Sequence, residues 1–468
     1  MKNKKIFLTI LVILILNILL GMYSYIYAAT DTTYISLSND GIKVNGESIS
    51  NNTEGAVYLT SSTNNGGTSS SATSANIEIK NVINITKAGT YEFTGTLTDG
   101  QISVNSNNIS GDVIIVLNNA SITCENAPVI MAYNKSITDT KCNLIIKTVN
   151  GTTNTLTGGK IKQSVQGWED QSSILYYIEK DNDDEGNYYE RYKYDGAISS
   201  DIAITFEGEG KLIVNSTAKE GIECKQNITI NSGSYEINSK DDGINACTDN
   251  TSITINGGTV LVNVQKDAEE GDGIDSNGTI YINGGNVYSF AAETSGDNGL
   301  DSDNEIYING GNVVATGNMA DAINSDSKQS YLQLNFNDKV TADTLITILD
   351  SNENAQVAFK SDRSYQILTI STSNLDTNNF KVYESGDIVG ENENGLYTKI
   401  TSYTKGTEKS YSNTSSGRMQ RQFGEKGDRD IKSESDFKVF YIVLAVLGGL
   451  LIIVIIITII TNKKEMKS

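Results

Sequence analysis

The segment Asp272-Gly273-Ile274-Asp275 belongs to a series of five similar segments that decides the fold of this chain. The others are Glu220-Gly221-Ile222-Glu223, Asp242-Gly243-Ile244-Asn245, Asn298-Gly299-Leu300-Asp301 and Asp321-Ala322-Ile323-Asn324. Their apolar residues fall at 222, 244, 274, 300 and 323, so the steps are 22, 30, 26 and 23 residues. A repeat of this length, with short alternating strands between turns, is typical of a solenoid.

Most copies also carry a second pattern, of which Ile280-Tyr281-Ile282-Asn283-Gly284-Gly285 is one instance. It recurs at 228–233, 253–258 and 306–311, at steps of 25, 27 and 26 residues. In such a strand Ile280 and Ile282 face one side and Tyr281 faces the other. One copy cannot bury its apolar face, whereas stacked copies with parallel strand pairing enclose it. The sequence therefore predicts an all-β fold, a right-handed parallel β-helix with β-rich capping ends.

The composition supports a continuous stack of strands and narrows the function. The 468 residues include 42 glycines, which suit left-handed turn positions, and a single proline, Pro128, a residue that interrupts paired strands. The chain has no histidine, which excludes His-based catalytic triads and His-ligated zinc. Its net charge of −21 argues against nucleic acid, which is a polyanion, and favours cations, calcium above all.

Both ends of the chain carry a hydrophobic segment. Residues 1–28 have the features of a secretory signal peptide, because three lysines precede an apolar run and Ala28-Ala29 offers small residues for cleavage. An uncleaved anchor is the alternative. Val439–Ile460 is a run of 22 residues without a charge, long enough to span a bilayer, and lysines follow it. We therefore expect a single-pass protein of the cell membrane with its main domain extracellular.

Composition divides the chain between these ends. The predicted parts are an N-terminal β segment with a Ser/Thr/Asn-rich loop at 29–75, the β-helix at 76–328, a β-rich cap at 329–402, a flexible stalk at 403–436, the C-terminal transmembrane helix at 439–460 and a cytoplasmic tail at 461–468. An aromatic and acidic insertion at 161–194, which contains Trp168, interrupts the β-helix. Long insertions are usually functional or disordered. This one is therefore either a platform for sugars or a loop that is mobile or covered by a partner.

Acidic side chains flank the apolar residue of most copies. Equivalent positions of neighbouring coils in a parallel stack lie about 4.8 Å apart, and carboxylates at that distance repel one another. Bound Ca²⁺ relieves this repulsion, because it takes six to eight oxygen ligands. The alternative is that Asp and Asn are simply favoured in surface turns. The predicted metal ligands are Asp241, Asp242, Asp272, Asp275, Asp297, Asp301, Asp303 and Asp321.

Tyr281 and Tyr307 are predicted to point outward one coil apart. Together with Trp168 they are the predicted ligand-binding residues, because sugar rings stack on aromatic faces, although aromatic pairs also stabilise sheets by themselves. The asparagines at 231, 256, 283 and 309 are predicted to form a structural ladder of stacked amides. Cys224 and Cys247 either form a disulfide or are small inward-facing side chains.

Three parts of the chain resemble a known family. Residues 89–102 read Gly-Thr-Tyr-Glu-Phe-Thr-Gly-Thr-Leu-Thr-Asp-Gly-Gln-Ile, residues 116–122 read Val-Leu-Asn-Asn-Ala-Ser-Ile, and the Asp-Gly-Ile and Asn-Gly-Gly copies follow. Over roughly residues 33–385 they resemble the bacterial carbohydrate-binding domain-containing proteins. The insertion and the membrane span depart from that pattern.

The resemblance implies a right-handed parallel β-helix shaped like the pectate lyases. It also implies calcium on the helix and binding of cellulose-like and polygalacturonate-like polysaccharides. The positions that best match the calcium motif of the family are Asp241, Asp242, Asp272, Asp275, Asp297 and Asp301.

These observations lead to three hypotheses. The first is a surface-displayed, calcium-binding, non-catalytic protein that binds polysaccharides of plant cell walls or acidic glycans. The second is a calcium-dependent lyase that acts on uronate polymers, with Lys240 as the best candidate base and Lys219 and Lys266 as weaker ones. The absence of arginine between Asp195 and Asp326 argues against such an enzyme. The third is a structural or adhesive surface protein.

Overall fold

Short alternating segments form strands throughout, as the sequence predicts. The computed structural model describes residues 32–50, 55–65, 76–134, 140–159, 178–182, 188–192, 196–294 and 296–413. Within these ranges there are 37 strands and one short 3-10 helix, Ser106–Asn108, which confirms the all-β prediction. In the same ranges no helix combines the length and apolar character needed to cross a membrane. The predicted signal peptide, the predicted membrane span and Trp168 lie outside the described residues.

Eleven strands precede the insertion. They are β1 (Thr33–Leu37), β2 (Ile42–Val44), β3 (Glu47–Ile49), β4 (Val57–Asn65), β5 (Asn76–Ile85), β6 (Gly89–Leu97), β7 (Gly100–Asn105), β8 (Val113–Thr123), β9 (Ile130–Tyr133), β10 (Leu144–Thr148) and β11 (Thr153–Gly158). β1 pairs antiparallel with β2 and parallel with β6, and β4 pairs antiparallel with β5. Because β4 continues to Asn65, it includes the first residues of the Ser/Thr/Asn-rich stretch that was predicted to be a loop within 29–75.

The insertion at 161–194 contributes two described strands. These are β12 (Ile178–Asn182) and β13 (Tyr188–Tyr192), which pair antiparallel. The stack of coils resumes at β14 (Ile198–Ser200), where Ile198 pairs with Ile130 before the insertion and with Ile222 after it. The stack therefore continues across the insertion.

Three strands make each of the following coils, and strands of successive coils pair in parallel. They are β15 (Ile204–Gly208), β16 (Lys211–Ser216), β17 (Ile222–Cys224), β18 (Ile228–Ile230), β19 (Ser234–Ser239), β20 (Ile244–Ala246), β21 (Ser252–Ile255), β22 (Thr259–Val264), β23 (Ile274–Ser276), β24 (Thr279–Ile282), β25 (Asn286–Phe290), β26 (Leu300–Ser302), β27 (Glu305–Ile308) and β28 (Asn312–Gly317). Column one contains β14, β17, β20, β23 and β26, column two β15, β18, β21, β24 and β27, and column three β16, β19, β22, β25 and β28. These pairings confirm the predicted parallel stack, which we call the rod.

Alternation of side chains fills the inside of the rod. Ile280 and Ile282 are fully buried, whereas Tyr281 between them is 36% exposed. The same pattern in neighbouring coils gives one continuous apolar core along the rod. Burial of one such isoleucine stabilises a fold by about 1.5–3 kcal/mol, so stacking supplies what a single coil lacks.

The glycine of the repeated segments is required by close approach between coils. A Cβ built on Gly243 would lie 2.5 Å from the carbonyl oxygen of Gly273, and one on Gly273 would lie 2.6 Å from that of Gly299. Side chains make no such contacts with backbone. The Asp-Gly-Ile segment therefore reflects a place where the next coil passes too near for any Cβ.

An asparagine ladder runs beside column two. The side chain of Asn256 donates to Asn231, Asn283 donates to Asn256 and Asn309 donates to Asn283, each at 2.9 Å. The predicted structural ladder is confirmed. Each amide in the middle of the ladder both donates and accepts, which fixes the register between coils.

All four cysteines are free thiols. Cys224 is buried with its side chain inside the rod, while the Sγ atom of Cys247 lies 3.5 Å from the backbone oxygen of Cys224. The structure therefore supports the small inward-facing alternative for Cys224 and shows no disulfide between the two residues.

The fifth repeated segment does not join column one, and the sequence prediction for it was wrong. Ile323 bridges Ile306 in column two, whereas Leu300 of β26 ends column one. The strand pairing of the segment around Ile323 is limited to this isolated bridge, and the chain next turns into the cap. Sequence spacing alone places it one coil further along.

The C-terminal strands form a cap that folds back on the rod. They are β29 (Tyr331–Val340), β30 (Leu345–Leu349), β31 (Ala355–Lys360), β32 (Tyr365–Ser371), β33 (Lys381–Glu384), β34 (Asp387–Glu393), β35 (Leu396–Thr404), β36 (Thr407–Glu408) and β37 (Tyr411–Asn413). β32 pairs antiparallel with both β28 and β29, and β30, β31 and β33–β36 make a separate six-stranded sheet. Strands therefore extend into the range predicted as a stalk, to Asn413.

A second apolar core joins the cap to the outer face of column three. Tyr288, Phe290 and Val314 are buried there against cap residues such as Phe336 and Phe359. This packing explains why positions on the outer face of β25 and β28 are apolar instead of polar.

Candidate metal centre and exposed aromatic pair

Two rows of polar residues run along one side of the rod, beside column one. The first, which we call the strand row, follows from direct strand pairing and contains Glu223, Asn245, Asp275 and Asp301. The second, the turn row, precedes each repeated glycine, whose amide donates to the backbone oxygen of the next member, and contains Glu220, Asp242, Asp272 and Asn298. The two rows bring together residues that lie far apart in the sequence.

Three carboxylates converge where the rows meet. Asp272, Asp275 and Asp301 each place an oxygen within 4.8 Å of the others, and we call them the three-carboxylate cluster. All three are half-buried. Like charges this close in a partly dry site repel strongly, so the cluster needs either protons or a cation.

The pKa values of all three carboxyls in the cluster are raised. Burial, followed by the charges of Asp242 and Asp301, raises the pKa of Asp272 to about 10. The same causes in the same order raise the pKa of Asp275 to about 9. Burial, followed by the charge of Asp321, raises the pKa of Asp301 to about 6. Without a cation, Asp272 and Asp275 therefore keep their protons at neutral pH, where such carboxyls are ordinarily ionised.

Two asparagines complete an oxygen-rich environment. Asn298, which is 5% exposed, donates from its side chain to Asp301 and from its backbone to Asp272. Asn245 donates from its side chain to Asp242 at 2.6 Å. The Oδ1 atoms of both asparagines are buried, and neither has a hydrogen-bond partner among the described residues. An unpaired buried amide oxygen is costly, and a hard cation is the partner that suits it.

The donor set fits calcium. Carboxylate and amide oxygens are the ligands that Ca²⁺ takes, in numbers and geometries that tolerate variation. The set contains no thiolate or imidazole, which would favour softer metals. Among the described residues, the three-carboxylate cluster is the group whose ligand atoms lie close enough together to hold one ion.

Asp242 lies in the turn row but has both carboxylate oxygens engaged. Its Oδ1 accepts from the backbone of Asp272 at 2.8 Å, and its Oδ2 accepts from Asn245. Burial, followed by the charges of Asp241 and Glu220, raises its pKa well above the usual range. In this geometry Asp242 joins two coils by fixing the backbone of Asp272.

The structure does not bring the other predicted ligands into the three-carboxylate cluster. Asp241 pairs with Lys219 at 3.0 Å, Asp297 accepts from the backbone of Gly271 at 2.7 Å, and Asp303 is exposed. Asp321 accepts from the backbone of Ser302 at 2.9 Å. Asp321 lies near enough to raise the pKa of Asp301, so it is a neighbour of the cluster.

Sequence reasoning did not include Asn245 and Asn298 among the metal ligands. The signal was present, because both occupy positions in the rows that acids occupy in adjacent coils. Glu223 was also left out of the ligand set. Burial, followed by the charge of Glu220, raises its pKa to about 7, and it accepts from Ser199 at 3.0 Å.

Tyr281 and Tyr307 pair in register on column two and stack on each other. Their ring centroids are 5.2 Å apart with an interplanar angle of 7°. One face of each ring is therefore turned to the other tyrosine, and the hydroxyl of Tyr307 donates to Glu305. Tyr281 is 36% exposed and Tyr307 is half-buried, and contact of the pair with a sugar stays a prediction.

Two of the candidate lyase bases, Lys240 and Lys219, lie on neighbouring coils, where the backbone amide of Lys240 donates to the backbone oxygen of Lys219 at 3.0 Å. Lys240 is exposed, Lys219 is paired with Asp241, and the Nζ of Lys266 lies 2.9 Å from a carboxylate oxygen of Asp362. Two of the three amines are thus engaged in ion pairs, and the third is open to solvent.

Comparisons with known proteins place the chain in a family. A solved structure of a polysaccharide lyase-like protein from C. thermocellum, a gadolinium derivative, is 19% identical, with 60% of this chain and 92% of that chain covered and a TM-score of 0.36. At that score the likeness carries no argument. No curated protein matches. The model of the carbohydrate-binding domain-containing proteins matches residues 79–378, which is more than half of the 468 residues, so this chain belongs to that family.

Proposed function

We propose that this protein is a non-catalytic, calcium-binding protein that binds polysaccharide. Membership of the family supports the class of ligand. One observation carries the calcium: the three-carboxylate cluster lies beside the buried, unpaired Oδ1 of Asn298. That arrangement offers negative charge and oxygen ligands and leaves both unsatisfied without a cation.

Some residues of the chain would ligate the ion, and others orient these ligands. Asp272, Asp275 and Asp301 come from two neighbouring coils, so an ion on them would tie these coils together. Asn298 orients the carboxylates of Asp272 and Asp301 through hydrogen bonds, and Asp242 fixes the backbone of Asp272 by accepting from its amide. Calcium supplies charge neutralisation and free coordination positions. A uronate carboxylate of a polygalacturonate-like chain is the ligand that such positions take, while neutral cellulose-like chains need other contacts.

The proposal includes display at the cell surface. Residues 1–28 supply the secretion signal and Val439–Ile460 the single membrane span, with the rod and cap outside the cell. The right-handed sense of the coil also stays a prediction. Protease treatment of intact cells tests the display, since the rod must be cleaved while a cytoplasmic marker is protected.

The function is tested by pull-down of the full chain, in mild detergent, on insoluble cellulose and on calcium-free pectin, with and without a chelator. We expect binding to pectin to be lost with the chelator and in the Asp272→Asn variant. Asp249→Asn removes an exposed acid from a nearby turn and is the matched control, which should bind as the wild type does. Retention of neither polysaccharide, with calcium present, would remove the proposed function.

The lyase alternative has its own readout in the same samples. Polygalacturonate incubated with protein and calcium gains ultraviolet absorbance only if unsaturated product forms. We expect none. Absorbance that rises with the wild type and not with Lys240→Ala would replace binding by catalysis as the function.

A further inference from the structure

A cleft of about 410 Å³ opens between column three and the β34–β35 hairpin of the cap. Its buried floor contains Tyr288 and Leu396, which are 1% and 2% exposed. Its rim contains polar groups, namely Asn312, Glu391, Glu393 and Thr398. Ligand pockets typically measure about 300–1,000 Å³ and carry a few fixed polar groups, and this cleft has both features.

Hydrogen bonds fix one wall of the cleft to the rod. Glu393 accepts from the side chain of Asn286 at 2.9 Å and from that of Thr259 at 3.4 Å. Asn312 in turn donates to Asn286 at 2.9 Å. Glu393 also affects the floor, since burial and then its charge raise the pKa of Tyr288. These contacts hold the end of the hairpin in place, so the cleft is formed before any ligand arrives.

A β-bulge shapes the other wall. The register between β34 and β35 shifts between Val389 and Glu391, and bulges of this kind redirect the side chains that follow. Glu391 comes directly after the shift and pairs with Lys399 at 2.8 Å. Its carboxylate is thereby oriented at the rim while it remains exposed.

The chemistry of the walls selects the ligand. Carboxylate and amide oxygens accept hydrogen bonds from hydroxyl groups, and the amide of Asn392 and the hydroxyl of Thr398 can donate to them. The residues lining the cleft include two acids and no base. The two acids outnumber the single lysine, Lys399, that pairs with Glu391 at the rim, so a uronate carboxylate would still meet net negative charge.

We propose that this cleft is a second glycan-binding site, which takes uncharged sugar units of a polysaccharide. It lies on column three and the cap, whereas the three-carboxylate cluster lies beside column one. The proposal rests on the proposed function only for the class of ligand. It assigns neutral chains to the cleft and leaves uronate chains to the calcium-bearing rows.

The test is calorimetric titration of the full chain, in mild detergent, with cellohexaose and xylohexaose in the presence of chelator. We expect at least one of these neutral oligosaccharides to bind, and Thr398→Trp, which fills the cleft, to weaken that binding at least tenfold. Glu391→Ala, which removes an exposed acceptor without touching a core, should weaken it about threefold to tenfold. Asp387→Asn lies at the opposite end of β34 and is the control, with no change expected.

Each outcome decides between the two proposals. If the wild type binds either oligosaccharide and both cleft variants bind it equally well, the cleft is not the site. If the wild type binds pectin in the pull-down but neither neutral oligosaccharide, the cleft proposal fails and the proposed function stands. Failure to retain any polysaccharide in either experiment removes both. Unchanged melting temperatures show that the variants are folded.

Discussion

Single residues of the two rows determine how strongly the stacked carboxylates of the rod repel one another. Asn298 is the informative one, because it occupies a position that acids occupy in the preceding coils and leaves its buried Oδ1 without a partner among the described residues. An amide there lowers the charge of the cluster while it keeps an oxygen available. A buried polar atom left unpaired in this way is expected to belong to a ligand site.

Replacement of Asn298 by leucine tests whether this residue binds calcium or only stabilises the fold. We expect Asn298→Leu to weaken calcium binding about tenfold to hundredfold, because an oxygen and the hydrogen bond to Asp301 are lost. In chelator the variant should be no less stable than the wild type, since a buried unpaired oxygen is removed. Calorimetry and thermal melts measure both effects, and Asn304→Leu on the exposed surface is the control. Equal destabilisation with and without calcium would make Asn298 purely structural.

The raised pKa values predict how stability without metal depends on pH. Asp272, Asp275 and Asp301 have folded pKa values near 10, 9 and 6, against about 3.9 when unfolded. Above pH 4 the folded protein therefore binds more protons than the unfolded protein, so the free energy of unfolding falls as pH rises. We expect the melting temperature in chelator to decrease from pH 5 to pH 8. Saturating calcium should abolish this decrease, and a flat profile in chelator would contradict the assigned electrostatics.

At the scale of elements, close packing between backbones restricts the choice of residue as strongly as packing of the core does. Gly243 and Gly273 stand where the carbonyl of the next coil comes within 2.6 Å of a would-be Cβ. The glycine and the acid before it recur together because both lie in the same turn, where neighbouring coils approach closely. This is why the repeat is visible in the sequence at all.

A methyl group at one of these glycines should disturb the stack. We expect Gly273→Ala to lower the free energy of unfolding by about 1–3 kcal/mol, because the coils must separate locally to admit the Cβ. Gly55→Ala is the control, as its nearest contact would be an ordinary 3.5 Å. Chemical denaturation measures both variants. A Gly273→Ala protein as stable as the control would mean that the coils adjust at little cost.

Local patterns predicted the rod well and its end poorly. Alternation and period place Ile244, Ile274 and Leu300 in register, because each has at least one neighbouring copy in column one to pair with. Ile323 has the same sequence pattern but no further strand to pair with in column one, so the bridge to Ile306 takes its place. The cluster was predicted because register alone brings Asp275 and Asp301 together. The cleft was not, since it depends on how the cap folds back.

At the scale of the whole molecule, the two largest apolar cores of the described residues, that of the rod and that of the cap, lie on the two sides of column three. Arg363 is the main polar connection: it is 4% exposed, and its guanidinium donates to the backbone oxygens of Val264, Phe290 and Ala291 at 2.8–3.1 Å. It also lies 5.5 Å from the ring centroid of Phe290. One cap residue thus satisfies three carbonyls at the end of column three.

Loss of that arginine should loosen the cap. We expect Arg363→Met to destabilise the protein by about 3 kcal/mol, because buried carbonyls lose their donor. Limited proteolysis should then cut within the cap sooner than within the rod. Lys360→Met, which removes an exposed amine 3.7 Å from Asp343, should change neither. Equal protease resistance of Arg363→Met and the wild type would show that the apolar contacts alone hold the cap.

The antiparallel strands at the two ends of the stack have a consequence for the behaviour of the protein in solution. β1 meets β2 and β4 meets β5 at one end, while β32 covers β28 at the other. A bare parallel stack would offer each terminus as a template for a second molecule, and identical rods would polymerise head to tail into fibres. Where these antiparallel strands lie, the parallel repeat is interrupted, so we expect an identical rod to be unable to continue it in register at those positions.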